Sequence, residues 1–163
     1  TITVLKAYRR YGIGSQLLEQ AVQDLQNWRP EEPGGGHLQL VATSPWYRSA
    51  PVQAQGPDFI NGVTEWRTTL QAHQVLQILQ TIEQRHGRQR PYPNAPRTLD
   101  LDLLVWGQRS LSTPDLTVPH PRMHLRAFVL RPLADLAPNL MLPGLGALEP
   151  LLRACQGQDL SQL

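Results

Sequence analysis

Two aspartates two residues apart carry the most chemistry in this chain. In Arg97-Thr98-Leu99-Asp100-Leu101-Asp102-Leu103-Leu104-Val105 the acids alternate with leucines. On a strand, residues two apart share a face, roughly 6.5–7 Å apart at Cα. Asp100 and Asp102 therefore project together, and Leu99, Leu101 and Leu103 face the core. Two carboxylates on an apolar strand are costly unless something neutralises them. A hard divalent cation does so, and Mg²⁺ suits a few carboxylates that share it with substrate phosphates. A pair of such ions about 3.5–4 Å apart can bridge an in-line displacement at phosphorus. Taken alone, a D-x-D pair reads more simply as ion pairing to neighbouring arginines. The surrounding charge moves the reading toward metal and phosphate.

Fifteen basic residues against thirteen acidic ones give a net charge of +2, too small for a nucleic-acid binder on charge alone. The cations cluster. Eight arginines and three aspartates lie between Arg85 and Arg131, and fourteen of the fifteen cations are arginine, Lys6 being the lone lysine. Arginine suits bidentate capture of phosphate oxygens, so a cationic middle around three carboxylates points to a small, highly anionic ligand. Arg88, Arg90 and Arg97 sit on the proline-rich segment 87–97 beside the acidic strand, where a loop closing over a triphosphate would exclude water and add charge. A solvated basic loop is the plainer alternative. His120, in Pro119-His120-Pro121-Arg122-Met123, has no second histidine at metal spacing on a clear helix, so it reads as a phosphate or ribose contact or as a loop histidine without a ligand. Gln80 and Glu83 are helical neighbours that could bond a ligand or form a wet helix face.

The elements that must position these groups are legible in outline. Ser15–Trp28 has helical apolar spacing in Leu17, Leu18, Ala21, Val22 and Leu25, with Ser15 as N-cap. His37–Thr43 and Phe59–Thr69 read as strands, Ala72–His86 as the clearest helix, and Thr98–Trp106 as a strongly apolar strand. Tyr47–Gly56 reads as a loop, Pro119–Met123 as a turn, Phe128–Leu133 as a short element and Leu148–Cys155 as a short helix. The order β-α-β-β-α-β predicts an α+β fold, a ferredoxin-like sandwich of a mainly antiparallel sheet flanked by helices, in one domain over residues 1–163. No window approaches the roughly 18 apolar residues of a membrane helix, and the N-terminal residues lack a secretory pattern. One cysteine, Cys155, excludes a disulfide framework and a cysteine-built zinc site within one chain. These features predict a soluble protein of the reducing cytoplasm, with no nucleic-acid or membrane partner.

Together the motifs resemble the 6-hydroxymethyl-7,8-dihydropterin pyrophosphokinase family from about Ser44 to Gly144. The strongest part is Pro96-Arg97-Thr98-Leu99-Asp100-Leu101-Asp102-Leu103-Leu104, followed by Leu116-Thr117-Val118-Pro119-His120-Pro121-Arg122-Met123. Ser44-Pro45-Trp46-Tyr47-Arg48-Ser49-Ala50-Pro51, Asp58-Phe59-Ile60-Asn61, and Ile82-Glu83-Gln84 leading into Gly87-Arg88 also fit. The resemblance implies transfer of pyrophosphate from ATP to a pterin alcohol, releasing AMP, in folate biosynthesis. It implies that Asp100 and Asp102 hold two Mg²⁺ with ATP. Asn61 would bond the pterin, with the ring between Phe59 and Phe128 and backbone contacts from Ser49 and Val52. Gln80, Glu83, Arg88, Arg97, His120 and Arg126 would surround ATP or the transferred phosphates, with Arg90 on the mobile loop. The expected assembly is a monomer or weak homodimer acting on small molecules.

The chain departs from that family in two places. Where the family carries Trp-Gly before Pro-Arg, this chain has Asn94-Ala95, leaving Tyr92 as the aromatic of that loop. The first 23 or so residues also diverge. Arg9-Arg10-Tyr11-Gly12-Ile13-Gly14 is similar to the pyrophosphate loop of GCN5-related N-acetyltransferases, but only eight residues precede it and no coenzyme A binding is assigned. The alternatives to catalysis are a non-catalytic binding or interaction module of the same fold and, more weakly, an acetyltransferase fragment.

Overall fold

The computed structural model describes residues 2–10, 16–29, 35–50, 58–86 and 99–163, with residues 2–10 and Gln16 described by their backbone. A single sheet organises the chain. Its strands are β1 (Ile2–Arg10), β2 (Leu38–Thr43), β3 (Tyr47–Ser49), β4 (Phe59–Thr68), β5 (Asp100–Trp106) and a C-terminal strand, β10 (Leu160–Gln162). The order is β10-β3-β4-β1-β5, with β2 also pairing β4, and every described pairing is antiparallel. Two small hairpins join Leu111–Ser112 (β6) to Thr117–Val118 (β7) and Met141–Leu142 (β8) to Gly146–Ala147 (β9).

The helices follow from the crossovers. The connection β1-α1-β2, with α1 at Gln16–Gln26, straddles β4, and β4-α2-β5, with α2 at Ala72–Arg85, straddles β1. Two interleaved right-handed crossovers of this kind place both helices on one face. Their apolar stripes meet there: Leu18, Ala21, Val22 and Leu25 of α1 and Val75, Ile78, Leu79 and Ile82 of α2 pack with Trp66, Leu99, Leu101 and Leu103. The opposite face is covered by α3 (Ala127–Leu136) and α4 (Leu148–Ala154), which bury Val129, Leu130, Leu133 and Leu148 against Val63, Leu104 and Val105. The structure thus has the α+β architecture expected, an antiparallel sheet flanked by helices.

Two details differ from the sequence expectation. Tyr47–Ser49, expected as a loop, is a strand, because its three residues pair with Asn61, Ile60 and Phe59 of β4. The C-terminal β10 was not anticipated and extends the sheet beyond β3. The first strand of the expected order is present: β1 occupies the interior of the sheet between β4 and β5. Its charged end runs alongside Phe59–Asn61 and Asp100, at the sheet's polar margin.

β5 serves both faces. Leu99, Leu101 and Leu103 join the α1/α2 cluster, as their alternation predicts. A register shift opposite Val4 and Leu5 leaves Leu104 as an extra residue, so that Val105 follows it to the α3 face and Trp106 returns to the first. Such a bulge resets the two-residue period at the cost of one ladder position.

Gly62 of β4 lies beneath Trp46, and a Cβ built there would run into the six-membered part of the indole ring. Overpacking of this kind costs about 1–3 kcal/mol. Gly62→Ala is accordingly expected to lower the urea midpoint without changing the denaturant slope; an unchanged midpoint would show that Trp46 moves freely.

Candidate active site

A cavity of about 590 Å³ opens on the α3 face of the sheet, at the end where β3 finishes and β4 and β5 begin. Ser49 and Ala50 come from β3 and the residue after it, Phe59 and Asn61 from β4, and Asp100 and Asp102 from β5. Leu125, Arg126 and Phe128 come from the start of α3 and the 3-10 turn before it, Met123–Leu125, and Gln158 from the C-terminal segment. Its size falls within the usual range of small-molecule sites.

The pleat explains the selection. Phe59 and Asn61 are two apart on β4 and share the face of Val63, which packs under α3. Asp100 and Asp102 share the face of Leu104 in the same way. Both acids are half-buried, flanked by leucines that belong to the other face.

Asn61 is fully buried at 0% exposure. Its Nδ2 donates to Ser49 Oγ at 3.0 Å, and its Oδ1 is buried with no hydrogen-bond partner among the described residues. A buried amide oxygen with unspent acceptor capacity costs roughly 1–3 kcal/mol unless a ligand donor meets it. Phe59 and Phe128, both half-buried, supply aromatic faces to the same space, and the Arg126 guanidinium carbon stands 5.6 Å from the Phe128 ring centroid, within reach of a cation–π contact.

The cavity walls are pinned from behind. Tyr47 Oη donates to Asp135 Oδ2, and Arg131 Nη2 donates to Asp135 Oδ1 at 2.7 Å, tying β3 to α3. Burial, reinforced by Asp135, pushes the Tyr47 hydroxyl above its ordinary range, so it stays a donor. The neighbouring Asp135 also raises Arg131.

The two carboxylates fit a hard cation. Among the described residues no group of three or more His, Cys, Asp or Glu could hold a metal ion by itself, so a cation held by this pair would draw its other oxygens from water and ligand. That suits Mg²⁺, which keeps several waters and takes further oxygens from phosphate.

Of the residues singled out from sequence, Ser49, Phe59, Asn61, Asp100, Asp102, Arg126 and Phe128 line one cavity. Gln80 and Glu83 lie on α2, Gln80 exposed and Glu83 buried, and do not line it. His120 is half-buried outside the lining, its N–H bonded to Leu104 O at 2.8 Å and its Nδ1 accepting from the Arg122 N–H at 3.2 Å. Val52, Arg88, Arg90 and Arg97 fall outside the described residues. Ala50, Leu125 and Gln158 also line the cavity and were not singled out. No local pattern marks them, because each reaches the site through tertiary packing.

Comparison with known proteins agrees with this architecture. The model of the family described as 7,8-dihydro-6-hydroxymethylpterin-pyrophosphokinase matches residues 11–138. A 2-amino-4-hydroxy-6-hydroxymethyldihydropteridine pyrophosphokinase of Pseudomonas aeruginosa is 45% identical over 157 residues, covering 93% of each chain. The enzyme of the same name from a Synechocystis strain is 45% identical over 109 residues, which are 67% of this chain and 56% of that one. A solved structure described as HPPK-DHPS in complex with substrates shares the fold, with a TM-score of 0.67 at 13% identity over 94% of this chain and 45% of that one. The family match spans well over half of the sequence and the Pseudomonas relative is similar nearly end to end, so the chain belongs to the 7,8-dihydro-6-hydroxymethylpterin pyrophosphokinase family.

Proposed function

We propose that this protein transfers the terminal pyrophosphate of ATP to the hydroxymethyl oxygen of 6-hydroxymethyl-7,8-dihydropterin, giving AMP and the pterin diphosphate for folate biosynthesis. The observation that carries the reading is a single cavity in which a buried amide, two aromatic faces and two aligned carboxylates converge. Asn61 Oδ1 accepts from the amino or ring N–H edge of the pterin. Phe59 and Phe128 hold the flat ring between them, an arrangement that aromatic faces favour. Ser49 orients the amide of Asn61, and Ser49 and Val52 offer backbone groups to the polar edge.

The pterin's alcohol arm then points toward β5. Asp100 and Asp102 would hold Mg²⁺, two ions in this proposal. When bound, the cation neutralises the phosphate charge that builds as the P–O bond breaks. The alcohol oxygen attacks the β-phosphorus, its bond to that phosphorus forms, AMP departs with the α-phosphate, and the hydroxyl proton leaves to solvent. Arg126 holds phosphate oxygens at the cavity mouth, and Arg88, Arg90, Arg97, His120, Gln80 and Glu83 complete the nucleotide side. Little covalent work is asked of the protein; positioning and charge neutralisation dominate such transfers. The proposal extends to one catalytic domain working as a monomer or weak homodimer in the cytoplasm. Two observations are compatible with it: Cys155 is free and buried, and no described helix is long and apolar enough to cross a membrane.

The test is AMP release from ATP with and without the pterin alcohol, across a Mg²⁺ titration. AMP and pterin diphosphate are expected in equal amounts, only with both substrates and the metal present. AMP release indifferent to the pterin, or none at all, would remove the proposal.

A further inference from the structure

We propose that Gln158, in the C-terminal segment beyond the family match, is a positioning residue that sets the Arg126–Phe128 wall of the cavity. Arg126 is the N-cap of α3, with extended backbone (φ −125°, ψ 109°) and no side-chain cap of its own. N-caps are normally Ser, Thr, Asp or Asn, whose short side chains accept from the free N–H groups of the first turn. An arginine cannot accept, and here its guanidinium is turned to the Phe128 ring.

Gln158 supplies the missing acceptor from 31 residues away. Its Oε1 accepts from the Ala127 N–H at 2.9 Å, and its Nε2 donates to Leu125 O at 2.8 Å. One planar amide thus grips the backbone on both sides of Arg126, fixing where Arg126 and Phe128 enter the cavity.

The anchor is itself held. Gly157, at φ +100°, turns the chain in a conformation that favours glycine, and the Gln158 N–H bonds to Cys155 O at 3.2 Å. Two residues later β10 begins, and Leu160 pairs with Ser49 on the opposite wall. The short C-terminal segment therefore links the two sides between which a flat ligand would lie. This inference rests on the pyrophosphokinase reading for the identity of that ligand.

The experiment is a double-mutant cycle on the full chain, reading the pterin Kd in the presence of Mg²⁺ and a non-hydrolysable ATP analogue. Gln158→Ala is expected to raise that Kd about tenfold, the effect of losing one to two backbone-gripping hydrogen bonds. Gln158→Glu keeps the acceptor for Ala127 and loses the donor to Leu125, and should raise it about threefold. In a Phe128→Ala background, Gln158→Ala should add less than twofold, since the ring it positions is gone. A full tenfold effect in that background, or an unchanged Kd in the single variant, would overturn the role. Should Gln158→Ala fail to fold, Gln158→Met retains the stem and gives the same readings. Wild-type AMP release is the control that separates the two ideas: its absence condemns the pyrophosphokinase reading, whereas normal release with independent effects condemns only Gln158.

Discussion

Asp102→Ala should fold as the parent does and turn over at least about a thousandfold more slowly, on the order of 4 kcal/mol in the barrier. The two halves of this expectation have separate origins. Asp102 is half-buried on the cavity wall, and the leucines on either side of it, Leu101 and Leu103, provide the packing of that stretch of β5. Truncating the acid leaves that packing in place. The chemistry has no such reserve, because among the described residues no third acidic, histidine or cysteine side chain stands with the pair to take over its oxygen ligands. Single-turnover AMP release against Mg²⁺ concentration, alongside a thermal melt, measures both halves. A loss under tenfold would remove Asp102 from the reaction. A collapsed melting transition would make it a structural acid.

The second large effect belongs to ground-state binding. Asn61→Leu keeps the side-chain volume at a fully buried position and removes both polar atoms. The Kd for the pterin should rise about a hundredfold, because ligand donors that met Oδ1 would be desolvated against a methyl group. ATP affinity should change by less than threefold, since Asn61 lies on the β4 side of the cavity. Stability should change by less than about 1 kcal/mol, because Ser49 Oγ loses the Nδ2 donor while the cost of the unpaired, buried Oδ1 disappears with it. Equilibrium titration of each substrate separates the cases. Equal losses for both would mean that Asn61 acts through the fold, and an unchanged pterin Kd would remove it from recognition.

What could be read from the residues was local and periodic. The two-residue alternation of Leu99–Leu103 fixed which way Asp100 and Asp102 point, and the 3.6-residue stripe of Val75, Leu79 and Ile82 fixed α2. Ser49, Phe59, Asn61, Arg126 and Phe128 came through resemblance, and the structure gathers them in one cavity. β3 escaped notice because three residues between prolines show no period, and its existence depends on β4. The bulge at Leu104 depends on the register of β1, which no local pattern encodes. Gln158 was invisible for the same reason: its partners, Leu125 and Ala127, are more than thirty residues upstream. Nothing in the neighbourhood of Gln156-Gly157-Gln158 distinguishes an amide that grips a helix start from one that faces water.

The partition of the two apolar clusters by one sheet has a consequence for how this protein can change. Substitutions that tighten α1 against α2 act behind the sheet, far enough from the cavity for their effects to add independently of those on catalysis. Robustness can therefore drift upward without retuning the chemistry. The exception is the pair of strands whose alternate residues look both ways: at Ile60 and Leu101, a gain in packing is felt directly by Phe59, Asn61 and the two acids, and there adaptation must satisfy both sides at once.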